Sequence, residues 1–176
     1  MNNELIKVDI FDNKIGTISK EEAHKKGVLH RAFSVFLFND NKLLIQQRAF
    51  SKYHSGGKWA NTCCSHPRTE NLIEDAKERL VEEVGIKCDN LKEIYVFNYF
   101  SKYAEDLFEY EIDHVLVGEY DGNFVLNKEE VNDMKWVNFE TLAKDMIGNP
   151  QKYATWFLIC APRVLEYLNT KKDAKI

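Results

Sequence analysis

The sequence predicts an α+β domain, and three observations predict it. Short apolar segments bounded by turn residues fill the first third of the chain and recur between Ile94 and Val137. A strongly periodic stretch sits in the middle, where Ile73, Ala76, Leu80 and Val84 recur at helical spacing. Two further helical patterns close the chain, Phe139 to Met146 and Thr155 to Asn169. Strands first, one central helix and helices at the end read as α+β.

Leu5 to Phe11 reads as a first strand, turned by Asp12-Asn13-Lys14, with Ile15 to Ile18 pairing back. Ser19 is placed to cap a short helix, with Glu22 three positions on to complete a capping box and Gly27 to end it. Arg31 to Phe38 is nearly all apolar, as expected of a strand buried on both faces. Asp40-Asn41 then turns into a hairpin partner, Lys42 to Gln47. Ser51 to Lys58 reads as a polar loop with Gly56-Gly57. The central helix follows and stops at Gly85, with Glu78, Arg79, Glu82 and Glu83 on its exposed face. Ile94 to Phe100 and Ile112 to Val117 are strands separated by a polar, acidic segment, and Met134 to Val137 is a short strand. Pro162 is expected to kink or interrupt the last helix, and Lys171 to Ile176 to fray.

At 176 residues, 44% apolar and 30% charged, one domain with a sizeable core is expected. A net charge of -4 and a pI near 5.8 argue against nucleic acid or an acidic membrane as partner. Met1-Asn2-Asn3-Glu4 has no signal-peptide character, and no stretch reaches the length of a membrane span. Cysteines 63, 64, 88 and 160 lack the spacing of a disulfide framework or zinc ribbon. Reduced thiols and a cytoplasmic location are expected.

The chemistry concentrates in Trp59 to Pro67. Cys64 and His66 put a soft nucleophile or proton donor and a metal ligand within one turn, at the foot of a rigid helix. The commoner fate of a free cysteine is to be a small buried hydrophobe. Glu109-Tyr110-Glu111 is the second informative spot. On a strand both carboxylates share a face, and they repel unless a proton or cation relieves them. With His24, His30 and His66 available, Zn²⁺, Mn²⁺ or Fe²⁺ would suit better than Ca²⁺. The alternative is a solvated strand face with scattered histidines. Tyr99 and Trp156 are by default core aromatics, and Lys20, Arg48, Lys52 and Arg79 by default surface charges. The residues alone lead to a metal-assisted enzyme with a reactive cysteine.

His30-Arg31-Ala32-Phe33-Ser34, Gln47 to Lys52, Trp59 to Pro67 and Glu109-Tyr110-Glu111 together resemble the type I isopentenyl-diphosphate isomerases. The resemblance runs from about Lys20 to Trp156 and on through the last helix. It implies a Nudix-like fold, a mixed sheet flanked by helices in a single domain, with residues 1–29 contributing metal ligands. It implies an isomerase acting on isopentenyl and dimethylallyl diphosphate, as a monomer or homodimer. One divalent ion (Mn²⁺, Zn²⁺ or Mg²⁺) would be held by His24, His30, His66, Glu109 and Glu111. Cys64 and Glu111 would form the acid–base pair, with Tyr99 assisting the carboxylate. Glu83, helped by the Cys64 carbonyl, would hold Mg²⁺ on the diphosphate. Lys20, Arg48, Lys52 and Arg79 would bind phosphate oxygens, and Trp156 would face the hydrocarbon.

Nudix hydrolases are the rival reading, and a non-catalytic metal-binding domain a third. The hydrolase box ends Arg-Glu, two spacers, Glu-Glu, spacer, Gly. Here Glu82, Glu83 and Gly85 remain, but the earlier pair reads Glu78-Arg79 and Cys64 stands where the box opens with glycine. A cation in place of a metal-binding carboxylate favours isomerisation over hydrolysis.

Overall fold

The computed structural model describes residues 4–173 and is built around one strand. That strand is β3 (His30–Asn39), the apolar run, and it is buried over most of its length. Along nearly its full length it pairs in parallel with β8 (Leu107–Glu119), from His30↔Glu111 to Phe38↔Glu119. Its other pairings come in turn from β1 (Glu4–Val8) at His30, β6 (Cys63–Ser65) at Phe33 to Val35, and β4 (Lys42–Arg48) at Leu37 to Asn39. Outside these lie β2 (Lys14–Ser19) on β1, β5 (Trp59–Ala60) and β9 (Val131–Asn138) on β4, and β7 (Lys92–Ala104) on β8. The result is a nine-stranded mixed sheet.

Alternation along β3 divides the core in two. Phe33, Val35 and Leu37 pack with Ala76, Leu80 and Val84 of α2 (Leu72–Val84). Phe36 faces the other way, toward α3 (Phe139–Gly148) and α4 (Thr155–Asp173), where its ring stacks on Phe157 at 5.9 Å. α1 (Lys20–Lys26) lies against β8 and closes one end of the sheet.

Several boundaries differ from the sequence expectation. β1 ends at Val8 rather than Phe11, because the Asp9 carboxylate accepts the backbone N–H groups of Phe11 and Asn13 and starts the turn early. Ser19 does cap α1 by accepting from the Glu22 N–H, but the Glu22 carboxylate pairs with Lys26 instead of returning to complete the box. β7 and β8 are each 13 residues long and meet at a tight turn near Glu105 and Asp106, so the expected polar spacer is strand. β9 is likewise longer than Met134 to Val137. α4 runs unbroken through Pro162, which is exposed, so the carbonyl left without an N–H partner can turn to water. It continues to Asp173; the rest of the expected frayed end, 174–176, lies outside the described residues.

Candidate active site

The strand alternation that divides the core also composes the site. On β8 one face carries Glu109, Glu111, Asp113, Val115 and Val117 in sequence. The two valines lie under α4, and the three carboxylates line a cavity of about 710 Å³ at the open end. Register then sets their neighbours: His30 of β3 and Tyr99 of β7 flank Glu111. β6 contributes adjacent cysteines to opposite faces. Cys63 is fully buried beneath α2, whereas Cys64 faces the cavity.

Glu111 is the best-supported group in the cavity. Tyr99 Oη donates to its Oε2 at 2.8 Å, and His66 Nε2 lies 3.0 Å from its Oε1. His30 Nε2 approaches the same oxygen at 3.5 Å. Burial opposes ionisation, but the nearby His30 imidazole and the His66 hydrogen bond outweigh it and hold the carboxyl well below the usual range. Cys64 behaves in the opposite way. Burial pushes its thiol up to about 12, while Arg48 Nη1, 3.7 Å from Sγ, favours the thiolate. Burial thus favours the neutral form of Cys64, while the hydrogen bonds at Glu111 favour its ionised form.

His24, His30, His66 and Glu109 bring one ligand atom each within 4.8 Å of one another. Among them His24 Nε2, His30 Nε2 and Glu109 Oε2 are buried without a hydrogen bond. Converging, unsatisfied imidazole and carboxylate donors fit a divalent cation, which would satisfy all three. Glu111, expected as a fifth ligand, lies outside this four-residue group and is hydrogen-bonded to Tyr99 and His66.

The four cations that are surface charges by default, and phosphate-binding on the family resemblance, converge. Lys20 at the start of α1, Arg48 at the end of β4, Lys52 in the following loop and Arg79 on α2 all line the cavity. Arg79 pairs with Glu83, and Lys52 with Glu130. Burial lowers the pKa of Lys20, and its ammonium lies over the Tyr53 ring. Glu83 is buried rather than on a solvated helix face. Trp156 is also buried, its Nε1 donating to Asn61 Oδ1 at 3.0 Å and its face lying under the Arg48 guanidinium.

Tyr53, His54, Asp113 and Glu130 also line the cavity, and the sequence reading gave none of them a role. Asp113 had a signal, since it continues the period-two row from Glu109 and Glu111. Its Oδ2 accepts from Ser34 Oγ at 2.8 Å, and burial raises its pKa well above the usual range. His54 had none, being one polar residue in a loop expected to be solvated.

If an ion ties α1 to the sheet, removing it should loosen that helix. Chelation is expected to quicken hydrogen exchange across Glu21 to Leu29, because His24 is on α1 while Glu109 and His66 are not. Unchanged protection there, with metal loss verified by elemental analysis, would break this linkage.

Residues 28–157 match the profile of the NUDIX domain. The chain is 46% identical over 167 residues to Isopentenyl-diphosphate Delta-isomerase 2 of Aromatoleum aromaticum, covering 94% of this chain and 88% of that protein. It is 44% identical over 160 residues to the Isopentenyl-diphosphate Delta-isomerase of Serratia proteamaculans, with 90% and 89% covered. Among solved structures, DR0079 from Deinococcus radiodurans superposes with a TM-score of 0.67 at 19% identity, over 83% of this chain and 90% of that one. That likeness bears on the fold alone.

Proposed function

The chain belongs to the NUDIX-domain family of isopentenyl-diphosphate Delta-isomerases, and we propose that Cys64 and Glu111 are the groups that move its protons. The reaction adds a proton to the terminal methylene of isopentenyl diphosphate and removes one from the carbon nearer the diphosphate. A tertiary carbocation lies between. The observation that carries the assignment is that strand alternation turns both Cys64 of β6 and Glu111 of β8 into one cavity, each beside a group that orients it, Arg48 at Sγ and Tyr99 at the carboxylate. The reaction needs one proton between the two groups: the member that carries it donates to the alkene, and the ionised member accepts the proton lost from the carbon nearer the diphosphate. Arg48 beside Sγ stabilises the thiolate member, and the Tyr99 hydroxyl orients the Glu111 carboxylate.

The remaining residues bind, orient and exclude water. Lys20, Arg48, Lys52 and Arg79 take the diphosphate oxygens, for which Lys52 and Arg79 must exchange their bonds to Glu130 and Glu83. Glu83, freed of Arg79, with the Cys64 carbonyl, holds the Mg²⁺ that travels with the diphosphate. The Trp156 indole presents a surface that attracts a cation without a lone pair poised to add to it. His24, His30, His66 and Glu109, with Glu111 at their edge, hold one divalent ion, Mn²⁺, Zn²⁺ or Mg²⁺. When bound, such an ion supplies a field that strengthens a neighbouring carboxylic acid.

Among the described residues no helix is long and apolar enough to cross a membrane. Four free cysteines support a reducing, cytoplasmic setting for this reaction.

Incubation with isopentenyl diphosphate tests the reading. Dimethylallyl diphosphate is the expected product, carrying deuterium when the solvent is heavy water. Release of inorganic phosphate or diphosphate in place of the rearranged product would point to hydrolysis and overturn it.

A further inference from the structure

The loop Ser51 to Lys58 delivers a fourth imidazole to the metal cluster, and its contacts differ from those of the other three. His54 Nε2 lies 2.6 Å from Glu109 Oε1, with both side chains almost wholly buried. An ionised carboxylate can only accept, so Nε2 carries the hydrogen and donates it. The other ring nitrogen, Nδ1, faces Ser55 Oγ at 3.5 Å, away from the cluster. The His24, His30 and His66 rings lie 5.0 to 5.9 Å apart, centre to centre, whereas His54 is 6.5 Å from His24. His54 therefore stands outside the ligand group with its inward nitrogen committed to Glu109.

The consequence appears on the other oxygen of the same carboxylate. Glu109 Oε2 is buried with no hydrogen bond and lies 4.0 Å from His30 Nε2. We propose that His54 is a positioning residue: by holding Glu109 Oε1 it orients the carboxylate so that Oε2 is left to ligate the divalent ion. This rests on the reading of His24, His30, His66 and Glu109 as a metal site. An outer hydrogen bond to a ligating group fixes its orientation and typically contributes 10- to 100-fold in metal affinity.

The ring that does this is itself held from three sides. Tyr103 stacks on it at 4.7 Å and 23°, Tyr53 meets it edge-on at 4.5 Å, and Trp156 meets it edge-on at 5.8 Å. The loop reaches this position through Gly57, at φ +75°, where an added Cβ would lie 2.6 Å from the Phe50 ring. Through Trp156, the outer shell of the metal site and the wall assigned to the hydrocarbon share one residue.

His54→Phe keeps the aromatic packing and removes the hydrogen bond, whereas His54→Gln keeps a donor. Metal affinity, measured by competition with a chromogenic chelator, is expected to fall about 10- to 100-fold in His54→Phe and only a few-fold in His54→Gln. The visible spectrum of the Co²⁺-loaded protein should change in the first and nearly persist in the second. His54→Leu serves the same purpose if the phenyl ring prevents folding, judged by circular dichroism. Parent-like affinity and an unchanged Co²⁺ spectrum in a folded Phe or Leu variant would overturn the positioning role alone. A parent that holds no stoichiometric ion, or one whose affinity is unmoved by His24→Ala, would instead remove the metal site and this role with it.

Discussion

Cys64→Ala is expected to lose turnover by at least about 10²–10⁴-fold with its fold intact, the range for removing an acid–base group. Cys63→Ala is expected to keep most of its activity. The contrast follows from strand alternation on β6, whose pairing with β3 turns Cys63 into the core under α2 and Cys64 into the cavity. Removing the Cys63 sulfur leaves a small hole among Phe33, Val35 and Leu80, costing on the order of 1 kcal/mol of stability. Cys63 also lies against the Glu83 carboxylate, so any residual effect on catalysis should appear in the demand for Mg²⁺ and diphosphate. Removing Cys64 takes away one member of the acid–base pair and leaves Arg48 without the sulfur it faces. Steady-state rates on both variants, each verified as folded by circular dichroism, decide the matter. Equal losses would mean that the facing of the two thiols is not what matters.

What could be read from the sequence was whatever depends on local spacing. The facing of Glu109 and Glu111, the Ser19 and Gly27 ends of α1 and the buried face of α2 are properties of one strand or helix. Period two and period 3.6 specify them without knowledge of the rest. Convergence is another matter. Lys20, Arg48, Lys52 and Arg79 sit on α1, β4, a loop and α2, and only the sheet order brings those elements to one cavity. Their roles came from the family resemblance, because no spacing rule spans four elements. His54 escaped both routes, since a lone histidine in a polar loop carries no signal until the loop folds over Glu109. Asp113 was within reach of the period-two reading, which stopped one step short along β8.

Glu111→Gln is expected to retain most of the metal while isomerisation collapses by about 10²–10⁴-fold or more. The amide has nearly the shape of the carboxylate and keeps one oxygen acceptor. It can be accommodated because the Tyr99 hydroxyl, now donating to Oε2, can rotate and accept from the new NH₂ group. What the amide cannot do is take or give a carboxyl proton. Metal retention is expected because Glu111 lies outside the group of His24, His30, His66 and Glu109 that converges most tightly. Glu109→Gln should behave in the reverse order. Its carboxylate belongs to that group and contributes the unpartnered Oε2, so its loss should act through weaker metal binding and be partly rescued by excess metal. Both variants are to be run in deuterated water with metal content measured on the same samples. Proton transfer is then read as deuterium in product and recovered substrate, separately from occupancy. A Glu111→Gln protein that is metal-loaded and isomerises within a few-fold of the parent would mean that the proton travels by a route that avoids this carboxylate. The buried Asp113, next along the same face and bonded to Ser34, would then be the group to mutate.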